Sequence, residues 1–293
     1  MPIGYRTWIT HLALGIGLSL AAIGCGNGST ARARPVTIKG SDTMVLLGQR
    51  WAEVYMGRHP DAVLAVTGGG SGTGIAALIH GTTDIAESSR PMKPEERAEI
   101  ERTTGAPVEE HAVARDGVTI YVHDSNPIAH LTLEQLKGMY TGAITNWKAV
   151  GGPDRPITIY SRENSSGTYV FFKEHVLGGA DYAAAAQSLP GTAAVVNAVA
   201  RDPGGVGYGG IAFGKGIRHV AILDAQGAPI EPTEVTIASG AYPLSRPLYW
   251  YMTARAPQGA RDLLAWTLGP EGQAEVRGVG YFPIAGAPAD SAR

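Results

Sequence analysis

Three strand-like runs in this chain each end in a loop of glycine and hydroxyl residues, and each loop leads into a helical pattern. The runs are 36–39, 62–67 and 156–160, and the loops after them are 40–43, 68–74 and 161–168. A helix start carries backbone N–H groups without partners and about half a positive charge. Adjacent hydroxyls are further donors, and glycine lets a ligand approach the backbone closely. Repeated at three strand ends, this pattern predicts loops that converge on a small oxyanion.

The third loop is the richest in donors, because Arg162 precedes Ser165, Ser166, Gly167 and Thr168. A guanidinium presents a planar fork of N–H groups that suits a tetrahedral oxyanion. The alternative, an ordinary helix N-cap with a surface arginine nearby, would leave the other two loops unexplained. We therefore expect Arg162 to supply the main charge complement to the anion.

The order of strands and helices favours an α/β architecture with mostly parallel sheets. The longest strand-like stretch is 112–123, and an alanine-rich stretch over 180–200 is typical of a helix. In open α/β sheets a ligand sits at the carboxyl ends of strands, where helices begin. The hydroxyl loops occupy such positions, so we expect the anion to lie between them.

Nucleotide-binding and hydrolase patterns fail on particular residues. A P-loop needs Lys and then Ser or Thr after its last glycine, but Ile75 follows one glycine-rich loop and Gly216 follows Lys215 in the other. A nucleophile elbow at Ser71 would need glycine where Thr73 stands. A hydrolase using Ser71 or Ser166 would also need a nearby base, and no His, Asp and Glu spacing suggests one or a metal site. We therefore expect a binding protein and not an enzyme, with no cofactor or metal.

Size and charge limit the class of protein and its partners. The chain has 293 residues, enough for two domains, and a formal net charge of −2. This charge predicts no strong field for nucleic acid or an anionic membrane, so anion selectivity must come from local groups. Cys25 is the single cysteine, which rules out an internal disulfide.

The N-terminus has the layout of a secretory signal. Arg6 is followed by an apolar run over 12–23, which is short for a membrane span, and then by Gly24 and Cys25. The sequence Ala-Ile-Gly-Cys at 22–25 resembles a bacterial lipobox, with alanine where leucine is usual. We expect residues 1–24 to be a lipoprotein signal peptide, Cys25 to carry the lipid and 25–35 to be a flexible tether. The alternative is a generic signal peptide with an incidental cysteine.

A series of motifs between residues 36 and 285 resembles one protein family. The motifs are Ser41-Asp42-Thr43, Gly69-Gly70-Ser71-Gly72-Thr73-Gly74, Ser88-Ser89-Arg90, Ser125-Asn126-Pro127, Gly142 with Ile144-Thr145-Asn146-Trp147, Arg162 with Ser165-Ser166-Gly167-Thr168, and Tyr242-Pro243-Leu244-Ser245-Arg246-Pro247-Leu248-Tyr249. In this order they are similar to the phosphate-binding proteins of bacterial phosphate ABC transporters, in particular to the compact branch of that family.

The resemblance implies a periplasmic binding protein fold of type II, in which two α/β lobes joined by two crossover strands close over dehydrated phosphate. With crossovers near 116–122 and 246–252, residues 36–117 and 247–293 would form one lobe and 118–246 the other. The implied function is capture of inorganic phosphate outside the cytoplasm and its delivery to an ABC permease. We expect a lipid-anchored monomer.

Residue by residue, the resemblance assigns ligand contacts to the three loops and to the end of a further strand. They are Thr43 and the Met44 amide, Ser71 with the Gly72 and Thr73 amides, Ser89 and Arg90, and Arg162 with Ser166, Gly167 and Thr168.

Two positions depart from the best-known branch of the family. Ser89 stands where that branch has an aspartate that accepts the proton of hydrogen phosphate, and Asn164 stands where it has an acid that orients the arginine. A site made only of donors cannot favour a protonated oxyanion over sulfate. Asp116 is the expected replacement acceptor, with Glu87 and Asp42 as weaker candidates. A binding protein for another oxyanion, such as sulfate or molybdate, is the alternative.

Overall fold

A computed structural model describes residues 34–214 and 216–284 of the chain. The predicted signal peptide, the lipidation site Cys25 and most of the predicted tether lie outside these ranges. Within them, no helix is long and apolar enough to cross a membrane.

Strands and helices alternate along most of the described residues. The strands are β1 Val36–Gly40, β2 Leu64–Thr67, β3 Ile85–Ser88, β4 Val108–His123, β5 His130–Leu131, β6 Thr158–Arg162, β7 Gln187–Leu189, β8 Gly205–Gly210, β9 Ile217–Leu223, β10 Pro229–Ile230 and β11 Ser245–Thr253. The helices are α1 Val45–Arg58, α2 Ser71–Ile79, α3 Pro94–Thr104, α4 Leu133–Thr141, α5 Gly167–His175, α6 Gly191–Val199, α7 Glu234–Ser239, α8 Gln258–Leu268 and α9 Pro270–Val279, with a 3₁₀ turn at Trp147–Val150.

The first sheet runs in the order β2, β1, β3, β11 and the first half of β4. Strand β1 is parallel to β2 and β3, whereas β11 is antiparallel to β3 and β4. The core packed on this sheet includes Trp51 of α1 and Trp250 of β11, whose rings meet edge to face at 5.1 Å. We call this body lobe 1.

The long strand β4 passes from the first sheet into the second. Its residues 108–117 pair with β11, and its residues 118–123 pair with β8 and β9. The second sheet continues from β8 through β6 to β7. The chain returns at the start of β11, where Ser245 pairs with Gly117 and the Val118 amide donates to the Leu244 carbonyl at 2.9 Å.

A second hydrophobic core covers this second sheet, and we call the body lobe 2. The buried residues of its main core fall between Val118 and Leu244, whereas those of the main lobe 1 core fall within 36–114 and 248–281. In lobe 2, Phe172 of α5 stacks on Tyr208 of β8 with ring centres 4.0 Å apart. The two-lobed α/β fold expected from the resemblance is confirmed.

Two expectations about secondary structure need correction. The sheets are mixed rather than mostly parallel, because β4 is antiparallel to β11, β8 and β9. The stretch over 180–200 is not one helix, because β7 occupies part of it and α6 begins only at Gly191. Gly191 has a φ of 75° and Pro190 has no backbone N–H, so a continuous helix cannot pass this point.

Candidate functional site

The hydroxyl loops of the two lobes meet across the cleft between them. Thr43 follows β1, and its Oγ1 lies 2.9 Å from Oγ1 of Thr168 in the first turn of α5. The Gly72 amide, in the first turn of α2, donates to the Ser165 carbonyl at 2.9 Å. The side chains of Thr43, Ser71 and Thr168 are all buried. The structure therefore brings the three loops together, with the lobes closed against each other.

Arg162 ends strand β6 and bonds across the cleft to lobe 1, with only 1% of its surface exposed. Its Nη2 donates to Asp42 Oδ2 and its Nη1 to Thr192 Oγ1, both at 2.8 Å. Burial lowers the pKa of the Arg162 guanidinium, and the charge of Asp42 opposes this shift. Asn164, where the family resemblance places an orienting acid, is exposed, and Asp42 of the other lobe supplies the carboxylate instead.

One donor of Arg162 has no acceptor among the described residues. Its Nε is buried and makes no hydrogen bond. Buried donors in native proteins are almost always paired, because an unpaired one costs about 1–3 kcal/mol. An anion held in the cleft would remove this cost.

Helix α5 begins in the cleft, and its first turn approaches lobe 1 closely. The Ser166 hydroxyl caps the helix by accepting from the Tyr169 amide at 3.3 Å. A Cβ at Gly167 would clash with the Ser71 hydroxyl and would lie 2.7 Å from that of Ser89. The N–H groups of a first turn have no partner within their helix, so the contact brings such donors against hydroxyls of lobe 1.

The glycine loop before α2 is shorter than the sequence suggested, because α2 begins at Ser71. Gly70 precedes it with a φ of 92°, and a Cβ there would lie 2.6 Å from the Ser165 carbonyl oxygen. The Ser71 hydroxyl accepts from the Ser89 amide at 3.0 Å and lies 3.4 Å from the Ser89 hydroxyl. Ser89, which directly follows β3, is therefore part of the group.

A second buried arginine joins the group, and the sequence reasoning did not assign it to the site. Arg246, near the start of β11, donates to Asp116 Oδ2 from Nε at 3.0 Å and from Nη2 at 2.8 Å. It also donates to the Ser89 carbonyl at 2.9 Å and to Thr168 Oγ1 at 3.0 Å. Its guanidinium lies 5.1 Å from the centre of the Phe171 ring. The available signal was its place in a motif beside the second expected crossover.

Asp116 lies in β4, the strand that crosses between the lobes, and its carboxylate already accepts hydrogen bonds from other residues of the protein. Besides the bonds from Arg246 to Oδ2, Oδ1 accepts from the Ile211 amide at 3.2 Å. Burial raises the pKa of Asp116, and the charge and hydrogen bonds of Arg246 oppose that shift. In this structure the carboxylate holds Arg246 in place.

Two charged candidates bind partners other than the hydroxyl loops. The Arg90 guanidinium donates to both oxygens of Glu96, at 2.8 and 2.6 Å, because a carboxylate matches two N–H groups of the fork. Glu87 is fully buried in lobe 1, where its Oε1 accepts from Trp250 Nε1 at 3.1 Å. Burial raises the pKa of Glu87 to about 8. Neither side chain hydrogen-bonds to the loops.

Three predicted amide donors bond to carbonyls of the protein itself. These bonds run from Met44 to Ser41 at 2.9 Å, from Gly72 to Ser165 at 2.9 Å and from Thr73 to Gly70 at 3.1 Å. An anion would have to share or replace these bonds.

Comparisons with a family model and with curated relatives agree on the family of this chain. Residues 26–271 match the model of the PBP superfamily domain. The chain is 34% identical over 275 residues to the phosphate-binding protein PstS of Staphylococcus epidermidis, covering 89% of this chain and 84% of that protein. It is 33% identical over 264 residues to PstS of Pseudomonas aeruginosa, covering 84% and 81% of the two chains.

Solved structures of similar proteins point to the same family. A putative phosphate ABC transporter substrate-binding protein from Clostridium perfringens, solved with bound phosphate, is similar with a TM-score of 0.78 and 28% identity, over 86% of this chain and 100% of that one. An ABC-type phosphate transport receptor from Vibrio cholerae is similar with a TM-score of 0.68 and 31% identity, over 84% and 99%. The chain therefore belongs to the PBP superfamily and, within it, to the PstS family of phosphate-binding proteins.

Proposed function

We propose that this protein captures inorganic phosphate between its two lobes and delivers it to the permease of an ABC transporter. The relatives in Staphylococcus and Pseudomonas carry the name phosphate-binding protein, and the similar Clostridium protein was solved with phosphate bound. The protein acts outside the cytoplasm as a monomer, held at a membrane by a lipid on Cys25. The two hydrophobic cores support lobe bounds of 36–117 with 247–293, and 118–246.

The observation that carries this proposal is the buried Arg162 Nε, which has no partner among the described residues, in the cleft where hydroxyls of the two lobes meet. The guanidinium would bind one oxygen of the anion through Nε. The donors around it are Thr43, Ser71, Ser89, Ser166 and the amides of Gly167 and Thr168, and the Met44, Gly72 and Thr73 amides remain predicted contacts. Each hydrogen bond to a charged oxygen contributes roughly 1.5–3 kcal/mol net. Several such hydrogen bonds would together exceed the roughly 8 kcal/mol of binding free energy that corresponds to micromolar affinity, before the costs of association are subtracted.

We assign no catalytic role to the serines of the cleft. The Ser71 hydroxyl contacts Ser89, and the Ser166 hydroxyl accepts from the Tyr169 amide. Among the described residues, neither hydroxyl bonds to a histidine or a carboxylate that could act as a base.

A second candidate function is binding of another tetrahedral oxyanion, such as sulfate or molybdate. The observation that favours it is that Asp42 and Asp116, two carboxylates at the cleft, each bind an arginine. Hydrogen phosphate needs an acceptor for its proton, whereas sulfate needs donors only. Asp116 Oδ1 accepts from the Ile211 amide, whereas both bonds from Arg246 go to Oδ2. Asp116 therefore remains our candidate acceptor for the proton of hydrogen phosphate.

Titration calorimetry of the ligand-free chain with phosphate and then with sulfate at neutral pH tests the proposal. Tight phosphate binding without a sulfate signal supports phosphate capture and a working acceptor. Sulfate binding of equal or greater strength would transfer the assignment to the second candidate. If neither anion binds, the cleft is not an oxyanion site.

A further inference from the structure

The counter-ion of Arg162 comes from the opposite lobe. Asp42 follows β1 in lobe 1, whereas Arg162 ends β6 in lobe 2, and their charged groups lie 2.8 Å apart. The Arg162 side chain is 1% exposed and that of Asp42 is 15% exposed, so the pair is shielded from solvent. This ion pair can exist only when the lobes are closed.

The ion pair also connects several segments at the cleft through hydrogen bonds. Asp42 Oδ1 accepts from the Gly69 amide at 2.8 Å, which ties the loop before α2 to the same carboxylate. On the other side, Arg162 donates to Thr192 in the first turn of α6. Two loops of lobe 1 are therefore linked to a strand and a helix of lobe 2 through one ion pair.

The pairing with Asp42 affects the energy of the buried Arg162 charge when no anion is bound. A closed cleft without ligand would bury the Arg162 charge, and a buried charge without a partner is strongly destabilising. With Asp42 in place the charge is paired even when no anion is present. An orienting acid on the same lobe as Arg162 would pair with it in the open and closed forms alike, and Asn164 cannot supply that charge.

We propose that Asp42 is a closure latch, a positioning residue that stabilises the closed, ligand-free form by pairing with Arg162 across the cleft. The anion enters through the open form, so its apparent association rate is the intrinsic rate multiplied by the fraction of molecules that are open. The inference rests on the proposed function only in giving Arg162 to the ligand. The closure itself can be measured without any ligand.

Asp42→Asn is the decisive variant, because the amide oxygen can still accept from Gly69 while the charge is lost. Glu109→Gln is the matched control, because Glu109 loses the same charge from an ion pair with Arg261 that lies within lobe 1. Spin labels at Gln49→Cys and Asn197→Cys, on a Cys25→Ser background of the full chain, report the distance between α1 and α6. Asn197 lines a groove together with Leu46 of lobe 1, and Gln49 follows Leu46 by three residues in α1.

In ligand-free protein we expect a short label distance beside a longer one, and in Asp42→Asn an increase of about tenfold or more in the ratio of long to short distances. Stopped-flow mixing with phosphate should show a faster association rate in Asp42→Asn, and Glu109→Gln should match the unaltered chain in both measurements. Equal distance distributions in Asp42→Asn and the unaltered chain would overturn the latch, as would a fully open ligand-free protein. If the label distances respond as expected but phosphate never binds, the latch stands and the proposed function fails.

Discussion

Arg246 donates two hydrogen bonds to a single oxygen of Asp116, and the two side chains are only 2% and 0% exposed. Both residues lie where the chain passes between the lobes, since Arg246 pairs with Asp116 in the ladder of β11 and β4. The same guanidinium bonds to the Ser89 carbonyl of lobe 1 and the Thr168 hydroxyl of lobe 2. The ion pair thus links the strands that cross between the lobes to the loops of both lobes.

Removing one member of this pair should destabilise the protein more than removing both. Arg246→Met leaves the Asp116 carboxylate buried without a counter-ion, and we expect a loss of about 3–5 kcal/mol in the free energy of unfolding. Arg246→Met with Asp116→Leu removes both charges and should recover most of that loss. Urea denaturation of the two single variants and the double variant measures the coupling. Strictly additive losses would show that the pair does not act as a unit.

Gly167→Ala should abolish tight anion binding without unfolding the protein. The new Cβ would clash with the Ser71 hydroxyl and lie 2.7 Å from that of Ser89, so the lobes could not close fully. We expect at least about a hundredfold loss of affinity, because several hydrogen bonds across the cleft would lengthen together. Calorimetry measures the affinity, and circular dichroism checks the fold.

The control for that variant is Gly57→Ala. Gly57 lies in the last turn of α1, and a Cβ there would meet no atom within 4 Å. It should leave affinity unchanged and raise stability slightly, because alanine favours helix over glycine. A Gly167→Ala protein that binds as tightly as this control would show that the close approach is not needed.

Glu87 should contribute a part of the protein's stability that falls with rising pH. Burial raises the pKa of this carboxyl to about 8 from its ordinary value of 4.5. Between these values the folded protein keeps the proton and the unfolded chain releases it, so folding is favoured at low pH and less so as pH rises. The slope is at most about 1.4 kcal/mol per pH unit, and it vanishes above the folded pKa.

Glu87→Gln should remove this part of the pH dependence, since the amide cannot ionise. Thermal or urea unfolding of both proteins from pH 5 to pH 9 gives the comparison. Parallel stability curves for the variant and the unaltered chain would mean that Glu87 does not hold its proton in the folded protein.

The parts of the site that could be predicted from the sequence depend on local chemistry. Arg162, Ser166 and Thr168 stand together at a helix start, where backbone donors and hydroxyls follow from a few consecutive residues. In the same way, Ser71 follows a glycine loop that marks the start of α2. Such signals can be recognised within a short stretch of consecutive residues.

The parts that could not be predicted depend on contacts between distant segments. Asp42 and Arg162 are 120 residues apart, and Asp116 and Arg246 are 130 apart, so neither pair has a local pattern. Arg246 has no glycine and hydroxyl loop next to it in the sequence, and its pairing with Asp116 depends on the register of β11 against β4. The mixed sheets have the same origin, because strand direction is set by how β4 and β11 pass between the lobes.

We expect the oxyanion to lie between Arg162 and the first turn of α5. A crystal structure of the protein grown with arsenate, located by its anomalous signal, tests this directly. We expect one anion with its oxygens roughly 2.7–2.9 Å from Arg162 Nε and from amides of the α5 first turn, between closed lobes. An anion bound only outside the cleft, with Arg162 Nε still unpaired, would show that the cleft is not the binding site.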